Sequence, residues 1–498
     1  MSAARGNDDG AALRQKAISG GGWTLAGNLF RQVLQFGFSI VLARLLVPED
    51  FGLLAMVLVF CNFARIFLDL GVSPAIIQRR ELDDGFYHTA FTLHVLMGGA
   101  LTVALFVAAP LLAALYEQPR LTDLARVVSL QFVLASLSAA PKARLQRDLG
   151  FRALALTLLA ATLAANVVGC VAAVYNCGPY SLAYALLTEY GVVALILWAG
   201  PVPRPRPAIH RRCLRELAGF GSHMSLIAVL RVLVREADKL VIGKAFSGYA
   251  LGLYNRAYMI MLMPVNEVSK VIMRVLFPVM SKAQDDRAML KGMLLQSVGM
   301  IAFVTFPCLF GLWAVAGDFV IAVYGSKWDL TVELIQILCL VGALEATAQP
   351  ARSMLISLGR TRRALALALF SAVVAVVAFA LGVLTGDIYR FAMVYLAAVL
   401  LLHVVRLAYA GGAIRMSYLD AARAFGGPGL CAVAMAGLTW GLGHGLPATW
   451  PPAARLACCL PFGVCVYAVL VHAFGLQPYR DARRILAARL GPQKNGAD

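Results

Sequence analysis

The sequence has little charge for its length. Only 14% of its 498 residues are Asp, Glu, Lys or Arg, whereas soluble domains usually carry about 25%. Hydrophobic residues make up 60%, and the mean hydropathy is +0.77. A soluble fold of this length could not cover so much apolar sequence with polar surface. The excess must therefore face lipid.

The chain also lacks the motifs of several enzyme and metal-protein classes. Its ten cysteines form no CxxC pair, and Cys177 is the only one in a predicted external loop, so no disulfide framework is expected. No P-loop, HExxH, GxSxG or paired-carboxylate loop occurs. These absences argue against an enzyme, and we predict no catalytic residue, no cofactor and no metal site.

No cleavable signal peptide is predicted at the N-terminus. Asp8 and Asp9 precede a Gly-rich stretch, without the apolar core and cleavage site that such a peptide needs. The first apolar run is thus expected to stay as a membrane helix. Because a helix needs about 20 residues to cross the hydrocarbon core, the apolar runs predict an all-α polytopic protein of about 14 transmembrane helices. They lie near 20–44, 50–72, 87–114, 121–140, 152–175, 180–199, 217–245, 251–280, 292–317, 331–357, 363–385, 389–411, 425–445 and 454–475.

The distribution of basic residues predicts the orientation. The net charge of +18 could indicate nucleic-acid binding in a soluble protein. In a membrane protein, Lys and Arg instead accumulate in cytoplasmic loops. With a cytoplasmic N-terminus, the inner loops and tails hold roughly 27 basic residues and the outer connections roughly six. We therefore predict a multi-pass protein of the bacterial inner membrane with both termini in the cytoplasm, and no nucleic acid as partner.

The first and seventh spans repeat one another at an offset of about 200 residues. Arg31 matches Arg231, Arg44 matches Lys244, and Gly52 matches Gly252. Six spans separate the copies, which predicts parallel repeats. The expected organisation is two six-helix lobes plus two C-terminal helices, the layout of an alternating-access transporter. In residue numbers these are an N-terminal tail 1–19, an N-lobe 20–200, a basic linker 201–216, a C-lobe 217–412, helices 13 and 14 within 425–475 and a basic tail 476–498.

Charged residues inside the predicted spans follow narrow helical stripes. A charge at a helix centre costs about 2.5–3.5 kcal/mol, so each stripe should face away from lipid. The bases outnumber the acids, which favours an anionic cargo, and Arg suits phosphate because its fork can bind two oxygens. Candidate substrate-binding residues are Arg31, Arg65, Arg231, Arg235, Lys239, Tyr254, Arg256, Lys270 and Arg352. Candidate ion-coupling residues are Asp69, Glu189, Asp238, Glu267 and Glu345.

Purely structural roles are the alternative explanation for these residues. The stripes could be structural ion pairs such as Arg65–Asp69 or Arg235–Asp238, or side chains that snorkel to the interface. Trp and Tyr near span ends usually form interfacial belts, although Tyr254 and Tyr258 beside Arg256 could stack on sugars. The isolated histidines, among them His94, are expected to be packed or interfacial.

Four stretches carry a resemblance to a known family. They are Gly20–Met56, Leu68–Leu82, Leu251–Asp286 with its LGLYNRAY and RVLFPVMSK sequences, and Tyr324–Leu340. They resemble Wzx-type oligosaccharide flippases of the multidrug/oligosaccharidyl-lipid/polysaccharide superfamily, in the branch that includes colanic-acid exporters. The similarity extends to about residue 412 and points only faintly to Arg31, Tyr254, Asn255 and Arg256 as site residues.

The resemblance implies a flippase for undecaprenyl-pyrophosphate-linked oligosaccharide repeat units in exopolysaccharide or lipopolysaccharide biosynthesis. It also implies a lipid-linked substrate, a polysaccharide polymerase and a chain-length regulator as partners, and an ion gradient as the driving force. A multidrug or cation antiporter of the same fold is the first alternative, which the basic stripes disfavour. A polysaccharide polymerase would need a long external loop, and a structural scaffold would not explain the stripes.

Overall fold

The protein is helical throughout the part of the chain that the computed structural model describes, which is residues 27–483 without 70, 80, 201–202, 285, 415 and 482. Side chains of 217–231, 233–234, 361 and 413 are not described either. The N-terminal tail 1–19, the Arg231 side chain and most of the basic tail therefore lie outside the described residues. No strand occurs within these described ranges, which agrees with the predicted all-α class.

The first half of the chain forms nine helices. Helix α1 covers 27–45 of the described residues. The next eight are α2 (Pro48–Asp69), α3 (Val72–Gln78), α4 (Asp84–Tyr116), α5 (Leu121–Ser129), α6 (Gln131–Arg147), α7 (Phe151–Val174), α8 (Pro179–Ala199) and α9 (Arg211–Ala245). Helix α4 has 33 residues and is about 50 Å long, so it extends beyond a hydrocarbon core of about 30 Å.

The second half adds eight helices and a short 3-10 turn. These are α10 (Gly248–Lys282), α11 (Arg287–Ala314), α12 (Ala316–Val323), the turn Ser326–Trp328, α13 (Thr331–Ser357), α14 (Thr361–Leu384), α15 (Ile388–Ile414), α16 (Tyr418–Gly445) and α17 (Pro452–Ala473).

Eleven of the described helices or helix pairs are long and apolar enough to span a membrane. Each coincides with one of the predicted spans. The other three predicted spans coincide with α1, α9 and α10, so the expected number of 14 is compatible with the structure. Helices α9 and α10 carry many polar and charged residues along 35 residues each, which explains their low hydropathy. The protein is a multi-pass membrane protein.

The predicted fourth span is broken in two. Helix α5 ends at Ser129 and α6 begins at Gln131, with Leu130 between them in right-handed helical geometry. The Leu130 N–H donates to the Val127 carbonyl instead of continuing the α-helical pattern. The break lies beside the buried Gln131 side chain, which is 0% exposed. The polar residue Gln131, which is unusual in a predicted span, is therefore buried inside the protein.

The chain divides into two compact units, Met1–Gly252 (unit 1) and Leu253–Asp498 (unit 2). In unit 1, α4 packs on α5 and α6, α7 packs on α8, and α2 packs on α9. In unit 2, α13 packs between α11 and α15, and α16 packs on α11. The C-terminal helices are also attached by ion pairs, since Arg455 of α17 binds Asp318 of α12 at 2.6 Å. The predicted lobe boundaries at 200 and 217 stay a prediction.

Helix α2 and the first turns of α10 approach closely within unit 1. A Cβ atom on Gly52 would collide with the carbonyl oxygen of Gly248, and a Cβ atom on Gly252 would collide with that of Pro48. The two contacts are reciprocal at the 200-residue offset of the predicted repeat, because Pro48 corresponds to Gly248 and Gly52 to Gly252. Only glycine allows the two backbones to come this close.

Large apolar side chains cover the outside of several helices. On α14 the exposed ones recur at helical spacing along its whole length. Such a surface would be unstable in water and is expected against lipid tails. They are Leu365, Leu369, Phe370, Val373, Val376, Val377, Leu381 and Leu384.

Candidate functional site

In unit 1, Arg65 of α2 lies at the centre of a polar group inside the helix bundle. Its Nη2 atom donates to Gln131 Oε1 of α6 at 3.1 Å and to the Tyr190 hydroxyl of α8. The guanidinium also lies 5.2 Å from the centroid of the Tyr190 ring. A guanidinium in such a place is stabilised by these acceptors and by the ring face. Three helices far apart in sequence therefore position one base.

One helical turn further along α2, Asp69 contacts two other helices. Its Oδ1 atom accepts a hydrogen bond from the Ser73 backbone N–H of α3 at 3.0 Å. The same oxygen lies 3.2 Å from His94 Nε2 of α4. The Asp69 side chain is 47% exposed, whereas the His94 side chain is completely buried. The carboxylate thus forms the open side of a buried pair.

Lys142 of α6 connects these groups electrostatically. The carboxylates of Asp69 and of Glu189 on α8 attract its ammonium group, whereas Arg31 of α1 repels it. Glu189 also attracts Arg65. We call this set the unit 1 polar cluster, and its bases outnumber its acids by three to two. Its members are Arg31, Arg65, Asp69, His94, Gln131, Lys142, Glu189 and Tyr190.

Sequence reasoning found only half of this cluster. Arg31, Arg65, Asp69 and Glu189 were candidates, but Lys142 lies beyond the predicted span 121–140, and His94 was expected to be packed or interfacial. A helical signal was available for Lys142. It follows Gln131 by eleven residues, which is three helical turns, so both side chains lie on one face of α6. No comparable signal marks His94, because its partner Asp69 is on another helix.

The two ion pairs offered as structural alternatives do not form as written. Arg65 binds Gln131 and Tyr190 rather than Asp69. On α9, Arg235 pairs with its neighbour Glu236 at 3.0 Å rather than with Asp238. The physical reason is packing, because Arg65 and Asp69 each find partners on neighbouring helices that sequence spacing does not reveal.

The other unit 1 candidates lie on α9. Glu236 is buried and joins two bases, since Lys239 Nζ lies 2.8 Å from its second carboxylate oxygen. Asp238 is buried as well, and its carboxylate accepts the Lys239 backbone N–H at 2.8 Å. Glu236, which was not a site candidate, therefore holds Arg235 and Lys239 in place.

In unit 2, Arg256 is packed among aromatic rings. Its guanidinium carbon lies 5.2 Å from the Tyr324 ring centroid and 5.3 Å from that of Trp328. Arg256 is 8% exposed and Trp328 is fully buried. Tyr254 is also fully buried, and it stacks on Tyr258 with centroids 5.9 Å apart. Both candidates are therefore packed inside unit 2, and their role in cargo binding stays a prediction.

The remaining unit 2 candidates are on α10 and α13. Lys270 and Glu267 form an exposed pair at 2.7 Å. Glu345 of α13 binds Arg406 of α15 at 2.6 Å, and Arg352 is exposed. Among the described residues, no group of three His, Cys, Asp or Glu could hold a metal ion.

Comparison with known proteins identifies the family. Residues 41–333, more than half of the chain, match the family described as polysaccharide biosynthesis protein. The chain belongs to this family. Members with known names include lipopolysaccharide biosynthesis protein WzxC of Escherichia coli, which is 29% identical over 355 residues, covering 70% of this chain and 71% of WzxC. The resemblance to Wzx-type proteins is thereby confirmed.

Two further proteins are similar to this chain over much of their length. Teichuronic acid biosynthesis protein TuaB of Bacillus subtilis is 27% identical, covering 70% of this chain and 73% of TuaB. Succinoglycan biosynthesis transport protein ExoT of Rhizobium meliloti is 25% identical, covering 62% of each chain.

Comparison with solved structures identifies the fold of this chain. The lipid II flippase MurJ in an inward closed conformation superposes with a TM-score of 0.73 and 14% identity, covering 92% of this chain and 99% of MurJ. An inward-facing multidrug resistance MATE transporter gives 0.62 and 15%, covering 77% and 94%. The chain therefore has the same fold as these two proteins.

Proposed function

We propose that this protein is a flippase that moves undecaprenyl-pyrophosphate-linked oligosaccharide repeat units across the bacterial inner membrane by alternating access. The observation that carries the proposal is the base-rich unit 1 polar cluster inside a transporter fold of a polysaccharide biosynthesis family. Burying bases inside a helix bundle without an equal number of acids is costly. An anionic head group would compensate this excess of positive charge.

Within the cluster, Arg65 and Lys142 suit different parts of the task. Arg65 is oriented by Gln131 and Tyr190, and a guanidinium has further N–H donors that can reach phosphate oxygens. Lys142 adds a second positive charge, which Asp69 and Glu189 attract. Arg31 is the third base. The two acids do not balance the three bases, and the lipid tail would remain in the bilayer.

The proposal uses only part of the residues suggested by the sequence. Arg31, Arg65, Asp69 and Glu189 are retained, and Lys142 and His94 are added. Arg231, Arg235, Lys239, Asp238, Lys270, Glu267, Arg352 and Glu345 remain predictions without a role assigned here, and the buried Tyr254 and Arg256 are not used.

A multidrug or cation antiporter is the second candidate, because a MATE transporter shares the fold. A site for cationic drugs needs an excess of acids or open aromatic faces. The three bases of the unit 1 polar cluster would repel such a cargo. The charge balance therefore favours the flippase.

The proposed cellular setting follows from this function. The cargo would be delivered on the cytoplasmic leaflet. Both termini are proposed to be cytoplasmic, because the loops and tails on that side are the basic ones. The exported repeat units must then be joined outside. A polysaccharide polymerase and a chain-length regulator are the partners that such a reaction requires.

A deletion strain tests the function. We expect oligosaccharide-loaded lipid carrier to accumulate on the inner leaflet, no exported polymer, and normal glycosyltransferase activity in isolated membranes. Restoring the gene should restore the polymer. If the deletion strain instead leaves single repeat units outside the cell, the protein acts after translocation and the flippase proposal is wrong.

Point variants in the same strain test the site. Arg65→Ala should abolish export when polymer is normalised to the measured protein abundance, and Arg65→Lys should restore it only in part, because an ammonium lacks the fork of donors. Arg126→Ala is the matched control, since Arg126 of α5 is not a member of the unit 1 polar cluster. It pairs with Asp123 at 3.5 Å and lies 5.1 Å from the Phe106 ring centroid. Normal polymer from the Arg65→Ala strain would remove this residue from the site.

A further inference from the structure

His94 of α4 is buried with hydrogen-bond acceptors at both of its ring nitrogens. Its Nδ1 lies 2.9 Å from the carbonyl oxygen of Ala90, one turn earlier in the helix. Its Nε2 lies 3.2 Å from Asp69 Oδ1. The other described histidines differ. His88 accepts the Arg206 backbone N–H at its Nδ1, and the buried His403 has an acceptor at Nδ1 but no hydrogen-bond partner at Nε2.

Counting protons shows what this arrangement requires. A carbonyl oxygen can only accept, and an ionised carboxylate can only accept. A neutral imidazole has a single N–H and could therefore satisfy one of the two contacts. The other contact would place two lone pairs against each other inside the protein. Both contacts form hydrogen bonds only if one additional proton is held by His94 and Asp69 together.

Asp69 favours keeping that proton on the imidazole. Its Oδ1 already accepts the Ser73 N–H, and hydrogen bonds to a carboxylate stabilise its charged form. The additional proton then makes His94 an imidazolium next to an aspartate. Because the Asp69 side chain is 47% exposed while that of His94 is sealed, the proton can enter or leave only past the carboxylate.

Five helices pack on α4, namely α2, α3, α5, α6 and α9, and their charged groups must be considered together with His94. Lys142 of α6 interacts with Asp69, and it also interacts with Arg31 and Glu189. Arg65 of α2 interacts with Glu189. Charged groups elsewhere on these helices are paired away from His94: Arg79 after α3 with Glu216 of α9, Arg212 with Glu216, Arg126 with Asp123 on α5, and Arg144 with Asp148 after α6.

We propose that His94 and Asp69 form a proton-binding site whose occupancy is linked to anion binding at Arg65 and Lys142. The proposal rests on the anion-binding function proposed above. An anion at these bases reduces the positive charge that opposes an imidazolium nearby, so it strengthens proton binding at His94. Linkage is reciprocal, so the proton strengthens anion binding by the same factor. Transport of a pyrophosphate head group would then depend on the proton concentration.

The proton itself is tested without any cargo. The full chain, labelled with ¹⁵N at histidine, is placed in lipid nanodiscs and its imidazole signals are recorded at pH 7.5. We expect one imidazolium with two N–H groups, absent from His94→Gln and converted to a neutral ring in Asp69→Asn. His88→Gln, on the same helix, should leave it unchanged. A neutral His94 next to an ionised Asp69 would overturn the proposal.

The linkage is tested with inorganic pyrophosphate on the same preparation. Binding by wild-type protein should strengthen between pH 8 and pH 6 by at least about fivefold more than binding by His94→Gln. Pyrophosphate also titrates, so the difference in slope between variants carries the result, and His88→Gln should follow wild type. Equal slopes would overturn the linkage. If wild type binds no pyrophosphate at either pH, the proposed anion site fails as well, while the imidazolium measurement still decides the proton site.

Discussion

Single residues in unit 1 obtain their properties from neighbours on other helices. Arg65 binds Gln131 and Tyr190, which lie 66 and 125 positions away in sequence. The Gln131 side chain is completely buried, so its oxygen has no access to water as a substitute donor. A buried acceptor that loses its donor costs about 1–3 kcal/mol. The Arg65–Gln131 contact therefore affects stability as well as the proposed site.

We expect Gln131→Leu to lower the free energy of unfolding by about 1–3 kcal/mol, because Arg65 loses an acceptor inside the bundle. Gln296→Leu is the control, since Gln296 of α11 is exposed and donates only to Asp481 at 3.3 Å, and a change of at most about 0.5 kcal/mol is expected there. Thermal unfolding of purified protein in detergent measures both. Equal effects of the two variants would show that the buried contact contributes nothing special.

A second residue-scale prediction concerns pH. Glu117, which caps the end of α4, binds Lys244 of α9 at 2.7 Å, and this hydrogen bond lowers the pKa of Glu117 below its ordinary value of 4.5. A carboxyl group with a lowered pKa stabilises the fold above that ordinary value and loses the effect as the pH falls below it. The melting temperatures of wild type and Glu117→Gln should therefore differ at pH 7 and converge as the pH falls through the lowered pKa of Glu117.

The pair is exposed, so the difference at pH 7 should be small and should shrink further in high salt. Lys244→Gln should abolish the effect of Glu117→Gln in the double variant, because the partner is gone. A difference between wild type and Glu117→Gln that persists at low pH would assign the effect to the left-handed backbone at this position, where φ is 56°, rather than to the ion pair.

Among the elements, α2 and the start of α10 depend most on small residues. Gly52→Ala places a methyl group against the Gly248 carbonyl oxygen, and neither backbone can move without shifting its helix. Overpacking of this kind costs about 1–3 kcal/mol. We expect a lower melting temperature for Gly52→Ala and for Gly252→Ala, measured by thermal unfolding in detergent.

Gly99→Ala on α4 is the matched control. A Cβ atom there has no neighbour within 4 Å, and alanine is the better helix former by about 1 kcal/mol. This variant should be as stable as wild type or more stable. If Gly52→Ala matched it, the close approach of α2 and α10 would not constrain the fold.

The helices could be predicted where the information lies within one segment of the sequence. The predicted spans coincide with described helices because apolar length and the positions of Arg and Lys are properties of one segment. The break at Leu130 was not predictable, since no proline or glycine marks it. It accompanies Gln131, whose partner Arg65 is on α2. Local sequence therefore indicated an unusual span but not the division into α5 and α6.

For the whole molecule, the basic loops predict the orientation in the membrane. Reporter fusions in a cytoplasmic connection should be active only in the cytoplasm, and those in an outer connection only outside, because Lys and Arg resist translocation. A reporter at the C-terminus should also be cytoplasmic, and an external signal there would require an odd number of spans. The test positions are Arg152, Arg212 and Arg363 on the inner side and Cys177, Ser326 and Pro451 on the outer side.

The sequence by itself determined that this is a multi-pass helical membrane protein, and it predicted that the charges inside the spans are mainly basic. The reason is that a bilayer imposes its rules on each segment separately, through span length and the cost of charge. Only the tertiary structure decided which charges meet. Lys142 interacts electrostatically with Asp69 and Glu189, Arg65 binds Tyr190 rather than Asp69, and His94 contacts the Asp69 carboxylate. Packing brings together partners on different helices, and the sequence of a single segment does not contain that information.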